Sequence, residues 1–367
     1  MWLTALAVAA TLLAVSGYRT RDPDSRAYIA IATRLADVPA AEWIAPQWWG
    51  AWGGQGRFLE HPAGAFVLPA LLTRAGYPAA QASFVVTLAA QILSLLVLVS
   101  LASRLLPQAH ARAIAWGLLL IPVAFVFRVR ANQEYLVLAG ILVSIYGLER
   151  ARTSVAWAVV AVAGCVCALL VKGVFALVAP VAGGLWLWAR RPNPATAWVA
   201  LALMSAAIPL ATWGYERAYV RVTGESFLEY YLGARTSLAA GGASGLPFPI
   251  NKIWNVVWYT GRVAWYAAPW SLALVMAGRA GWLESPTRRF VAFAILATLA
   301  AILLVSPRDL RADRYVFPAY FFAASGGVAL ACAQVARLRD IAAQLDGTWP
   351  WGPALLWLVL VAGRVWM

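Results

Sequence analysis

Residues 80–103 read AQASFVVTLAAQILSLLVLVSLAS, a run of 24 positions without a charged side chain. A helix needs about 20 apolar residues to cross the hydrocarbon core of a bilayer, so this run is long enough to span one. Its apolar residues come in blocks rather than alternating with polar ones, which suits a helix in lipid and not a barrel strand. Comparable runs lie on both sides of it. Spans are predicted over about 2–17, 80–103, 113–127, 132–149, 154–171, 173–189, 196–215, 253–277, 290–305, 315–336 and 350–366. The expectation is an all-α polytopic membrane protein with about 11 transmembrane helices.

Composition agrees with that reading. The chain is 63% hydrophobic and 12% charged, where soluble domains carry about a quarter charged residues. No polar stretch is long enough for a separate soluble domain. Residues 1–367 are therefore read as one membrane domain, with external loops at 18–79 and 216–252. The run Trp2–Ser16 has no basic segment ahead of it and reads as an uncleaved first span. No internal repeat is evident, which argues against an inverted-repeat transporter. Cys165 and Cys167 sit two apart in an apolar helix and face different ways, so with Cys332 they read as packing residues.

The net charge of +14 is spread among the spans rather than gathered in one patch, which argues against nucleic acid as a partner. With the N-terminus cytoplasmic, the short inside loops hold Arg104/Arg112, Arg150/Arg152, Arg190/Arg191, Arg279/Arg288/Arg289 and Arg337/Arg339, a positive-inside set. His110 falls in one of these turns, where solvation accounts for it. The outside then holds both long loops and turns carrying Arg128/Arg130, Lys172 and Arg308/Arg311/Arg314. Topology does not explain cations on the translocated side. Convergent Lys and Arg there suit a phosphate, although pairing of Arg130 with Glu134 and of Arg311 with Asp313 would absorb some of them. Lys172 interrupts an apolar run and has no acidic neighbour in sequence.

The first loop carries five of the acidic residues: Asp22, Asp24, Asp37, Glu42 and Glu60. Asp24 or Ser25 can cap a helix to about Leu35, with Tyr28, Ile31, Ala32 and Leu35 as its apolar stripe at the membrane surface. Trp43, Trp48, Trp49 and Trp52 follow among Gly50, Gly53, Gly54 and Gly56, an interface-seeking surface on a flexible loop. Pro62 starts a second surface helix over 63–75. In the second loop the run Ala239–Gly245 reads either as a mobile lid or as a simple connection. Asp22 and Asp24 are read either as helix-capping groups or as a general base held beside a rigid helix. Asp24, Glu60 and His61 could together ligate a divalent cation, though no metal-ligand spacing supports it.

These residues resemble the motifs of the C-type glycosyltransferases. Asp22-Pro23-Asp24-Ser25-Arg26-Ala27-Tyr28, then Glu42-Trp43-Ile44-Ala45-Pro46, then Glu60-His61-Pro62 is similar to the first external loop of lipid A aminoarabinose transferases and protein O-mannosyltransferases. Val171-Lys172-Gly173 through Pro180 resembles their K-G span, and Ser306 through Tyr315-Val316-Phe317-Pro318 their late turn. Ser25 stands where many members have Glu, and His61 where the aminoarabinose enzymes have Lys. No counterpart of the soluble C-terminal domain of larger relatives is expected within residues 1–367.

The resemblance implies an inverting transfer of sugar from a polyprenyl-phosphate donor to a lipid, glycan or protein acceptor. It places the reaction on the periplasmic face of a bacterial inner membrane. No cofactor is implied, and a divalent cation is possible. By the same resemblance Asp24 is the catalytic carboxylate, with Asp22 and Glu60 beside it. Tyr28, His61, Arg128, Lys172, Arg235, Arg311, Arg314 and Tyr315 become the candidates for substrate and phosphate. The competing readings are a transporter or flippase of an anionic lipid and a scaffold that only holds one. A single cysteine at Ala40, in a chain otherwise free of cysteine, should react with an impermeant maleimide from the periplasmic side, and one at Thr153 only after permeabilisation. The opposite pattern would invert the orientation.

Overall fold

The computed structural model describes residues 1–48, 56–236, 249–275, 286–307 and 311–366, with only the backbone of 233–236. Trp49, Trp52, the Gly-rich run 239–245 and Arg308 lie outside the described residues, as does the Arg235 side chain. The helices are α1 (Trp2–Ser16), α2 (Pro23–Asp37), α3 (Gly64–Arg74), α4 (Ala79–Ala102), α5 (Gln108–Leu119) and α6 (Pro122–Val126). Next come α7 (Glu134–Ala151), α8 (Ala158–Lys172), α9 (Val178–Ala189), α10 (Ala195–Thr223) and α11 (Phe227–Thr236). The chain continues through α12 (Ile250–Tyr266), α13 (Trp270–Ala273), α14 (Pro286–Val305), α15 (Phe317–Gln334), α16 (Ala336–Thr348) and α17 (Gly352–Trp366). No strand occurs among the described residues; the one β feature is an isolated Gln47–Arg57 bridge in the first loop.

Among the described residues, five helical stretches are long and apolar enough to cross a membrane: Ala79–Ala102, Val155–Ala189, Ala195–Thr223, Pro286–Val305 and Asp313–Gln334. Burial separates their places. The last is 94% buried inside the protein and forms the centre, as expected of a helix apolar all round. α10 is only 17% buried and leaves most of its surface to the surroundings.

The stretch Val155–Ala189 is two antiparallel helices. Lys172, at the end of α8, bonds Glu134 at the start of α7, while Arg190, just past α9, bonds Glu149 at the end of α7. Gly173 makes the reversal at φ +61°, a conformation that favours glycine. The same connections sort the charges. Arg190 also donates to the Arg104 carbonyl, Arg152 to that of Pro192, and Arg289 to that of Arg191, so the loops read as one side do share one end of the bundle. Asp22, Arg130, Glu134, Lys172 and Arg314 gather at the other.

Several boundaries differ from expectation. The 113–127 span is broken, because Pro122 can begin a helix but not continue one. The 253–277 span is interrupted at Pro269 for the same reason. α10 runs beyond 215 to Thr223, so the segment 216–252 begins as helix, and Tyr215 binds the first loop there. Its hydroxyl donates to the Ile44 carbonyl (2.8 Å) and accepts from the Ala63 N–H (3.2 Å). Residues 336–348, expected to begin as a loop carrying Arg337 and Arg339, form α16, too polar to register as a span. His110 is buried within α5 rather than solvated in a turn. The surface helix after Pro62 is present, as α3. Cys165 is buried and Cys167 exposed, on different faces of α8.

Helices α7 and α8 approach at backbone distance. A Cβ on Gly164 would lie 2.7 Å from the Gly140 carbonyl oxygen, and one on Gly147 would lie 2.4 Å from the Ala161 nitrogen. Small residues at such a seam let helices pack by van der Waals contact in lipid, where no hydrophobic force joins them. Backbone atoms cannot rotate aside as a side chain can. Gly147→Leu should therefore cost about 1–3 kcal/mol or more. The check is a lowered thermal midpoint in detergent, with Gly214→Leu, at an open position, leaving the midpoint near wild type.

Candidate active site

The cap of α2 sets the geometry. Pro23 occupies the first helical position, where its missing N–H costs nothing, so the cap falls on Asp22 and not on Asp24 or Ser25. Asp22 Oδ2 accepts from the Ser25 N–H (2.9 Å) and hydroxyl (2.6 Å), and Oδ1 pairs with Arg130 (3.2 Å). Asp22 is thus committed to holding the helix. Ser25, fully buried, accepts from the Ala131 N–H at 3.1 Å and pins α2 to the turn between α6 and α7.

With Asp22 so engaged, Asp24 is the aspartate that faces the site. Its carboxylate pairs with Arg314, on the turn ahead of α15, and its side chain remains 45% exposed. Arg314 connects onward, since its carbonyl accepts from Lys172 Nζ (3.4 Å), which also pairs with Glu134 (2.7 Å). The acidic partner missing around Lys172 in sequence is therefore Glu134, from another helix. Both side chains are about 3% exposed. The expected pairings are replaced throughout: Arg130 joins Asp22, Asp313 joins Arg262 (3.1 Å), and Arg311 donates to Asn255 (2.6 Å). Arg130 and Arg311 both lie outside helices, so no helical spacing holds either of them against its expected acidic neighbour.

Tyr28 stands one helical turn beyond Asp24, on the same face. Burial pushes its phenol well above the usual range, with Arg314 opposing and Glu134, Glu60 and Asp24 adding to the rise, so it stays a neutral hydrogen-bonding group. Its ring packs edge-on to Phe58 and Phe66. Glu60 and His61 are buried just after Phe58. The His61 ring lies 6.4 Å from Phe175 and 6.5 Å from Tyr231. Tyr315 packs on Phe175 at 5.4 Å, and Lys172 Nζ sits 5.1 Å from the Phe175 ring centre.

Behind Lys172, the Tyr231 hydroxyl accepts from the Val174 N–H (3.3 Å), and any Cβ on Gly173 would meet that hydroxyl at 2.4 Å. Beside this reversal lies an apolar groove of about 130 Å³, walled by Pro62, Leu170, Val174, Tyr215, Phe227 and Tyr231.

Asp24, Tyr28, Lys172, Arg314 and Tyr315 thus come together at one end of the bundle, with Glu60 and His61 close by. Arg128 points away, into the protein. It is 1% exposed and donates to the Leu119 carbonyl at 2.7 Å, a structural placement. Arg311 stands to one side with Asn255 on α12. Among the described residues no three His, Cys, Asp or Glu side chains are placed to hold a metal ion, so Asp24, Glu60 and His61 do not form the grouping considered from sequence. Sequence reasoning passed over Glu134 as a site residue. An acidic side chain at the mouth of an apolar run was the available signal.

No protein-family model matches the sequence, and no curated protein matches it significantly. Solved structures do. ArnT from Cupriavidus metallidurans bound to undecaprenyl phosphate superposes with a TM-score of 0.67 at 18% identity, over 94% of this chain and 62% of that one. The apo state of the same protein gives 0.65 at 17% identity with the same coverage. The chain spans about 62% of the length of those proteins and shares their fold, that of the C-type glycosyltransferases.

Removing one member of a buried ion pair strands the other and typically costs about 3–5 kcal/mol. Lys172→Met should lower the thermal midpoint in detergent markedly, and adding Glu134→Gln should recover part of the loss. A Lys172→Met midpoint equal to wild type would show that the pair is not closed in solution.

Proposed function

We propose that this chain is an integral membrane glycosyltransferase. It moves a sugar from a polyprenyl-phosphate donor to an acceptor hydroxyl, with inversion, on the periplasmic face of a bacterial inner membrane. The observation that carries the reading is the pairing of the Asp24 carboxylate with Arg314, with Lys172 bound to the same turn. A base for a hydroxyl and cations for a phosphate sit within one constellation. The shared fold adds support, because ArnT has been crystallised with undecaprenyl phosphate.

The mechanism follows from these groups. The donor phosphate competes with Asp24 for the Arg314 guanidinium, which frees the carboxylate as it binds. Asp24 then removes the proton from the acceptor hydroxyl, and the oxygen attacks the anomeric carbon from the face opposite the phosphate. The bond from that carbon to the phosphate oxygen breaks and polyprenyl phosphate leaves. Charge developing on the leaving oxygen is stabilised by Arg314, with Lys172 and Tyr28 nearby and Arg235 and Arg311 as outer candidates. Glu60, His61 and Tyr315 line the sugar side, while Asp22 acts through the cap and Arg130. The apolar groove beside Gly173 takes the first prenyl units. The reaction so written uses no cofactor. The acceptor is a lipid, glycan or protein hydroxyl.

Asp24→Asn keeps the shape of the side chain and removes the base. The purified variant should stay folded and bind undecaprenyl phosphate at least as tightly as wild type, since no carboxylate then competes for Arg314, while release of free polyprenyl phosphate from labelled donor falls roughly 10²-fold. Turnover at the wild-type rate would overturn the base assignment. Arg314→Met should lower the same rate by roughly 10²–10³. Movement of intact donor across liposomes without its cleavage would favour a flippase instead.

A further inference from the structure

The turn between α6 and α7 carries polar groups that the fold leaves unsatisfied. Asn132 is 6% exposed and Gln133 1%, yet the amide nitrogen and oxygen of both lack a hydrogen-bond partner. Roughly nine in ten buried polar groups in folded proteins are paired, and an orphaned one points to a water or ligand that completes it. Gln133 does not line a described pocket. Asn132 does.

That pocket is walled on one side by Tyr28, from the helix that carries Asp24. Its polar walls are Asn132, Tyr28 from α2, and Ser83 and Thr87 from α4; Phe66 and Leu136 are among the apolar ones. Ser83 and Thr87 spend their protons on carbonyls of their own helix, Ala79 at 2.8 Å and Ser83 at 3.1 Å, so their oxygens offer only lone pairs to the pocket. Ala131, also on the wall, is tied through its N–H to Ser25 on α2. Tyr28 is four residues, about 6 Å along the helix axis, from Asp24. The pocket is therefore fixed to the helix that carries the proposed base.

Its chemistry is specific. All four polar walls are neutral, so a carboxylate or ammonium entering it would be desolvated without a counter-charge. Asn132 offers one acceptor oxygen and an N–H₂ donor side by side, the complement of an O–H group that both donates and accepts. The pocket is small, with room for a hydroxyl or hydroxymethyl group and not for a sugar ring.

We infer that Asn132 is a specificity-determining residue whose side-chain amide, with Tyr28, Ser83 and Thr87, receives one hydroxyl of the transferred sugar. The inference rests on the function proposed above. Its ligand chemistry is a sugar hydroxyl, and the donor is its source.

The test is binding to purified full-length protein in detergent, without acceptor. The probes are undecaprenyl phosphate and undecaprenyl-phosphoryl glucose, galactose and mannose. Wild type should bind at least one sugar-bearing lipid more tightly than undecaprenyl phosphate. Asn132→Leu, of similar volume and apolar, should leave undecaprenyl phosphate binding unchanged and weaken the preferred donor about tenfold, the scale of one hydrogen bond. Asn132→Ala provides the same readout should the larger side chain disturb folding.

Equal binding of the preferred donor by wild type and both variants would overturn the inference. So would a wild type that binds every lipid alike, or variants that weaken undecaprenyl phosphate as much as the donor, which is the mark of an ordered water only. An effect confined to transfer rate in the presence of acceptor would place the hydroxyl on the acceptor and overturn the donor assignment. If wild type binds no polyprenyl phosphate at all, the proposed function fails first, and this inference falls with it.

Discussion

The ion pair between Asp24 and Arg314 closes a gap of 290 residues and joins α2 to the turn ahead of the central helix. Around it the other charges at that end of the bundle take up their partners. Lys172 reaches the carbonyl of Arg314 and the carboxylate of Glu134, and Arg130 reaches Asp22. In a medium of low dielectric an unpaired charge is costly, so each cation here has a defined acid or carbonyl to meet. The result is a site held in a pre-formed shape whose central contact, Asp24 with Arg314, is also its most accessible one. In the function proposed above, a phosphate that enters would meet a guanidinium already aimed and release a carboxylate already placed.

The scaffold beneath this network is built to place it. α7 and α8 touch at Gly140, Gly147 and Gly164, which fixes Glu134 and Lys172 at matching heights across the seam. Ser25 ties α2 to the turn between α6 and α7, and Tyr215 ties the first loop to the long helix α10. Rigid elements meeting at short contacts hold side chains more closely than a free loop could, which is what a site that must position two reacting groups requires. The opposite end of the bundle shows the same economy, with Glu149 serving Trp186, Arg152 and Arg190 together.

Motif residues divide by what their neighbours leave free. Asp22 and Asp24 are two apart, yet one is spent on the helix cap and an arginine while the other faces the site. Arg128 and Arg130 are equally close in sequence. One is turned into the protein core and the other to the surface of α2. In the same turn Asn132 keeps both ends of its amide unpaired beside α2. Chemical type placed these residues among the candidates, and backbone direction decided which of them could act.

Much was determined by the sequence alone. Uncharged runs such as 80–103 dictate helices in a bilayer, because a backbone without water must satisfy its own hydrogen bonds. The stripe Tyr28, Ile31, Ala32 and Leu35 marks the apolar face of α2 by its helical spacing, but that face packs into the protein core rather than against the membrane surface. The ordered set of motifs from Asp22 to Pro318 points to the C-type glycosyltransferase fold. Pairing was not legible in the same way. Sequence proximity joined Arg130 to Glu134 and left Lys172 without a partner, and both were decided by contacts between separate helices. The cap on Asp22, the break at Pro122 and the inward turn of Arg128 depend on backbone geometry. Residue type and period fix what each segment must bury; only the packed bundle fixes which charges from distant segments face one another.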